Sequence, residues 1–117
     1  MRALLFVLTL ALAPCAAWAH AMLESAAPRV GESLAAAPAE LVLRFTEAVE
    51  PGFSTITVQD ASGARVDRDN VHPGPQGGKS LAIGLKTLAP GEYTVIWHAL
   101  SVDTHRTEGR FRFTVAP

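Results

Sequence analysis

The chain has 117 residues, of which 49% are hydrophobic and 18% charged, and its formal net charge is −1. Such a balance, with no clustered basic stretch, excludes a nucleic-acid surface built on phosphate neutralisation. The single cysteine, Cys15, excludes a disulfide framework and multi-thiolate metal sites.

The chain opens as an export signal. Arg2 supplies a positive start, residues 3–13 form an uncharged apolar run, and Pro14 breaks it. Ala17-Trp18-Ala19 is a small-x-small cleavage site. The run is too short for a comfortable membrane span, and Pro14 before Cys15 fits a lipidation site poorly. Cleavage after Ala19 predicts a leader over 1–19 and a 98-residue domain over 20–117. Arg2 and Cys15 leave with the leader, so the mature charge is −2 and no thiolate remains to bind metal. No second apolar run is long enough to cross a membrane.

Past the leader, period-2 alternation with β-branched and aromatic residues dominates. Residues 22–25 offer an N-terminal strand, and Pro28 and Pro38 bracket a connection. Leu41, Leu43 and Phe45 alternate with Val42, Arg44 and Thr46 and predict a strand with one buried face. A second strand is predicted over 53–59, a turn over 60–63, and a short hairpin return over 64–66. Residues 67–78 are polar and rich in proline and glycine, which predicts a long loop. A strand over 80–85 and a Pro90-Gly91 turn follow. The strongest pattern lies over 92–100, with Tyr93, Val95, Trp97 and Ala99 on one face. The last strand spans 108–115, with Phe111, Phe113 and Val115 buried. The pattern predicts an all-β fold, a Greek-key sandwich or barrel.

Between the last two strands lies Ser101-Val102-Asp103-Thr104-His105. In extended backbone, residues i and i+2 share a side, so Asp103 and His105 can converge on one metal ion. His20 is the natural third residue. Once it is the first residue, its α-amine and Nδ1 form a chelating pair, because a free amine loses its proton to a metal near neutral pH. That amine, the two imidazoles and one Asp103 oxygen give three nitrogens and one oxygen, a set suited to tetragonal Cu(II). Zinc takes the same donors but prefers a tetrahedron. The spacing equally suits an ordinary turn in which Asp103 caps its own backbone. His72 reads as a solvated loop residue and His98 as a satisfied strand histidine. Met22 reads as a packing residue and Trp97 as core.

The order of motifs resembles the CopC family of periplasmic copper-resistance proteins. The likeness runs through His20-Ala21-Met22-Leu23, Ser25-Ala26-Ala27-Pro28 and Leu43-Arg44-Phe45-Thr46-Glu47. It continues through Pro90-Gly91-Glu92-Tyr93-Thr94-Val95-Ile96-Trp97, the Asp103-x-His105 pair and Gly109-Arg110-Phe111-Arg112-Phe113.

The resemblance implies about seven strands, immunoglobulin- or cupredoxin-like. It implies a single Cu(II) ion per chain on His20, Asp103 and His105, with Glu47 orienting a donor by hydrogen bonding. It implies a monomeric, non-catalytic periplasmic carrier, freestanding, with an inner-membrane CopD-type copper transporter as partner. Some relatives hold Cu(I) on a methionine-rich loop. Residues 50–78 contain no methionine here, so no Cu(I) methionine site is expected. Two other functions fit parts of the pattern. A copper-dependent redox enzyme also uses an N-terminal histidine chelate, but it needs an open copper position and exposed aromatics. A structural β-sandwich needs no metal.

Overall fold

The computed structural model describes residues 20–117, together with Ala3. Apart from Ala3, the expected leader lies outside the described residues.

The domain is two four-stranded sheets packed face to face. Their strands, in chain order, are β1 (Leu23–Ala27), β2 (Ser33–Leu34), β3 (Glu40–Phe45), β4 (Thr55–Gln59), β5 (His72–Gly74), β6 (Gly77–Gly84), β7 (Gly91–Leu100) and β8 (Arg106–Val115). One sheet runs β1-β3-β6-β5 and the other β2-β8-β7-β4. All named pairings are antiparallel except β2 with β8. A short 3₁₀ turn, Pro51–Phe53, precedes β4. The expected all-β sandwich is therefore present, with eight strands where about seven were expected.

Alternation builds the core. Leu41, Leu43 and Phe45 of β3 are fully buried, and Tyr93, Val95, Trp97 and Ala99 of β7 face them from the other sheet. Burying one such side chain contributes about 1.5–3 kcal/mol. Phe45 meets Trp97 edge to face with ring centres 5.2 Å apart. Trp97 pairs with Gly109 across β7 and β8. A Cβ on Gly109 would come within 2.7 Å of the indole, so the glycine makes room for the tryptophan.

Three expectations need correction. The loop expected over 67–78 contains β5, whose His72-Pro73-Gly74 sequence hides an edge strand because proline is tolerated only where no ladder donor is needed. Strand β6 begins earlier than expected, at Gly77. The hairpin return over 64–66 reduces to one bridge, Gln59 with Arg65, and a bond from Val66 N to Val58 O.

Asp67 ends that segment and is the one buried carboxylate among the described residues. Its Oδ2 accepts from Val58 N at 2.9 Å and Arg65 Nε at 3.0 Å. Its Oδ1 accepts from Arg65 Nη2 at 3.0 Å and Asp69 N at 2.9 Å. Burial pushes its pKa up, but the Arg65 guanidinium and the two backbone donors more than offset this and hold it below the ordinary value.

Two features position the far end of the sandwich. Strands β7 and β8 form the longest hairpin, paired from Gly91 with Val115 to Leu100 with Arg106, so residues 101–105 form its tip. Strand β1 pairs with β3 and carries the preceding residues, 20–22, to the same end.

Candidate metal centre

The N-terminal segment is pinned from both sheets. The Thr46 hydroxyl accepts from Met22 N at 3.0 Å and donates to His20 O at 3.2 Å. Thr46 N donates to Met22 O at 2.9 Å. From the opposite sheet, the Thr107 hydroxyl donates to Ala21 O at 2.8 Å. Ala21 itself is fully buried within the core. His20 is exposed but is held at its backbone, which lowers the entropy lost when its side chain is fixed.

The hairpin tip is organised by Ser101, which is also buried. Its N–H donates to His105 O at 2.9 Å, and its hydroxyl donates to Asp103 Oδ1 and lies 3.1 Å from His105 O. His105 N donates back to the Ser101 hydroxyl at 3.2 Å. Thr104 takes a φ of 70°, in the left-handed region that β-branched residues rarely occupy. Asp103 and His105 therefore converge through a turn, not through the extended i, i+2 geometry expected from the sequence. Asp103 Oδ1 lies 3.2 Å from His105 Nδ1. The Ser101 hydroxyl is the largest influence holding the Asp103 carboxyl below its ordinary pKa. Desolvation opposes it, and His105 adds to the lowering.

The two ends of the chain meet here. The His20 ring stands edge-on to His105, with ring centres 4.8 Å apart and planes at 90°. Two imidazoles, each about 2 Å from one ion and set at right angles around it, place their centres roughly 4.5 Å apart. The structure thus sets His105 against His20 on one side and against Asp103 on the other. Among the described residues no three histidine, cysteine or acidic side chains gather at ligating distance; the Asp103 carboxylate is turned toward Ser101 and His105. With Ala19 attached, the His20 nitrogen is an amide, so the amine expected as a donor is absent.

The other expected residues lie elsewhere or apart. Glu47 is half-buried just beyond the end of β3. His72 Nδ1 lies 2.6 Å from Asn70 O and Nε2 3.2 Å from Glu40 Oε1, so it is a satisfied edge-strand residue. His98 pairs with Glu108 across β7 and β8 at 3.5 Å. Trp97 is core, as expected. Met22 is not a packing residue, because it is 57% exposed. The sequence reading missed the structural roles of Thr46, Thr107 and Ser101. Their only signal was their place beside the motif residues.

Comparison with known proteins matches this architecture to a family. A family model described as the CopC domain matches residues 23–116. Protein YobA of Escherichia coli K12 is 36% identical over 116 residues, covering 98% of this chain and 94% of that protein. Copper transport protein CutJ of Bacillus subtilis is 31% identical over 113 residues, covering 96% of this chain but 21% of its own length. Among solved structures, CopC from Methylosinus trichosporium OB3b superposes with a TM-score of 0.78 at 35% identity, covering 84% of this chain and 95% of that one. The methionine-rich copper resistance protein PcoC from Escherichia coli gives 0.73 at 34%, covering 83% and 99%. The chain belongs to the CopC family of copper resistance and transport proteins.

Proposed function

We propose that this protein is an exported Cu(II) carrier whose site assembles only after the leader is removed at Ala19. The observation that carries the reading is the edge-on contact of His20 with His105 beside Asp103. Cleavage would turn the His20 amide into an amine, adding a chelating nitrogen at the residue already held against the hairpin tip. Asp103 Oδ1 serves Ser101 and His105, so we assign Oδ2 as the oxygen donor. Three nitrogens and one oxygen favour Cu(II) over other first-row divalent ions.

A carrier is favoured over an enzyme, because Asp103 would fill the coordination position that oxygen chemistry needs. Tyr93 and Trp97 are buried, and Phe53 is the one strongly exposed aromatic ring among the described residues, too little for a flat aromatic substrate face. Export fits a periplasmic, monomeric protein that takes one ion and hands it to an inner-membrane transporter of the CopD type. The kinship to a much longer copper transport protein, of which this chain matches about a fifth, is consistent with that partner.

The test is a Cu(II) titration of the protein beginning at His20, followed by electron paramagnetic resonance. One tetragonal ion per chain is expected. A failure to bind, or a signal from scattered weak sites, would overturn the reading.

A further inference from the structure

We propose that the outer face of the β7–β8 hairpin, next to its tip, docks an acidic segment of a protein partner that lays an apolar side chain against Phe53. The docking surface rests on its own observations; only its use for copper transfer rests on the preceding reading.

Alternation turns one side of the hairpin outward. Tyr93, Val95, Trp97 and Ala99 of β7 and Phe111, Phe113 and Val115 of β8 are buried. The exposed residues Glu92, His98, Arg106, Glu108, Arg110 and Arg112 therefore face away from the core. Phe53 stands beside them and is 70% exposed. Its 3₁₀ turn is fixed to the end of β7. Glu50 N donates to Leu100 O at 2.8 Å, and the Ser54 hydroxyl donates to Glu50 O at 2.7 Å and accepts from Leu100 N at 3.1 Å. Phe53, His98, Arg106 and Glu108 line a groove of about 360 Å³. A ring on a turn held in this way is already placed for contact, so little order is lost on binding.

Charge decides the occupant. Three arginines on this face, Arg106, Arg110 and Arg112, stand against two glutamates, and both glutamates are already engaged. Glu108 lies 3.5 Å from His98, and Glu92 lies 3.4 Å from Arg112. The face therefore carries surplus positive charge on a domain whose mature net charge is −2. A carboxylate on Arg106 gains a charge-assisted hydrogen bond, and an apolar neighbour on the same segment covers the Phe53 ring. Aromatic and arginine side chains together are the groups on which binding energy concentrates at protein interfaces. An anionic bilayer fits less well. It is drawn to clusters of about 4–8 cations, whereas glutamates interrupt this face, and its groove suits one protruding side chain. Arg106 directly follows His105, so a partner seated here lies beside the proposed copper centre, where an ion can pass between them.

The experiment uses the metal-free protein beginning at His20, labelled with nitrogen-15 and titrated with a short capped peptide that alternates aspartate and leucine. The same peptide with lysine for aspartate, and phosphatidylglycerol vesicles, are titrated separately. The aspartate peptide should give saturable amide shifts centred on residues 53, 98 and 106–110, and the lysine peptide none. Phe53→Ser and Arg106→Ala, both at exposed positions, should each weaken peptide binding by about tenfold, while Phe53→Ser binds Cu(II) as the parent does. Absence of saturable shifts, equal binding of the lysine peptide, or unchanged affinity in both variants would overturn the docking surface. Binding of the vesicles through these residues in place of the peptide would overturn it in favour of a membrane contact. Peptide binding by a parent protein that fails to bind Cu(II) would uphold the surface and overturn the carrier reading.

Discussion

Thr46 and Thr107, one from each sheet, clamp the same three-residue segment, with Thr46 bonding His20 and Met22 and Thr107 bonding Ala21. The sandwich thereby fixes the backbone of a residue that would otherwise be the start of a mobile tail. The proposed copper site depends on that clamp, because a donor free to move loses its conformational freedom on binding.

Thr46→Val keeps the shape of the side chain and removes its hydroxyl. Two hydrogen bonds to the segment disappear, each contributing about 0.5–1.5 kcal/mol. Cu(II) affinity of the mature protein should fall by about tenfold, corresponding to about 1.4 kcal/mol. A competition titration against a chelator of known affinity checks this, and an unchanged affinity would show that the clamp does not support the site.

Ser101→Ala removes the donor that does most to keep Asp103 ionised. The parent carboxyl has a pKa below its ordinary value, so it stays ionised, and able to bind metal, further into acid. Without the hydroxyl its pKa rises, and protons compete with copper sooner. On acidification the variant should release Cu(II) at a higher pH than the parent. The visible absorption band of the Cu(II) protein, followed from pH 7 downward, measures the shift. Release at the same pH in both would refute it.

Asp67 gives the fold its own acid sensitivity, away from the copper site. Its pKa is lowered on folding, so its contribution to stability is complete above the unfolded value of about 3.9. That contribution is lost as pH falls through the lower folded value. Denaturant unfolding between pH 3 and 6 should show the parent losing stability below about pH 4. Asp67→Asn should be less stable at pH 6 by about 1–3 kcal/mol, since it disrupts the hydrogen bonds that Val58 N, Asp69 N and Arg65 make to a buried carboxylate, and it should vary less with pH. A steeper acid slope in the variant would contradict this assignment.

Gly109→Ala forces a methyl group into the Trp97 indole at 2.7 Å. Overpacking of this kind costs about 1–3 kcal/mol. Thermal unfolding should show the loss, and an equal Tm would mean that the indole moves freely aside.

Much of this was legible in the sequence. The alternation of Tyr93, Val95, Trp97 and Ala99 foretold β7, and Phe111, Phe113 and Val115 foretold β8, because one face of each strand must be buried. Strand β5 was hidden because Pro73 and Gly74 read as loop residues, yet they are tolerated on a sheet edge. Strand β2 has two residues and too little pattern to detect. At the site, Asp103 and His105 were picked by spacing, but the cause of their convergence was misjudged. The extended-chain rule fails where Ser101 closes a turn and Thr104 takes a positive φ. The clamp by Thr46 and Thr107 was invisible because it exists only where two sheets meet around a segment distant in the chain. Glu47 was expected from resemblance alone.

The central claim is that the amine of a cleaved His20 completes the copper site. The most direct measurement compares Cu(II) binding to the protein beginning at His20 with binding to the same protein carrying one additional residue before it. The account predicts one tight tetragonal ion per chain in the first form. In the second it predicts loss of that signal, with affinity weakened by at least a hundredfold, about 2.7 kcal/mol. Equal affinity and identical spectra in both forms would contradict it, and would remove the N-terminus from the site.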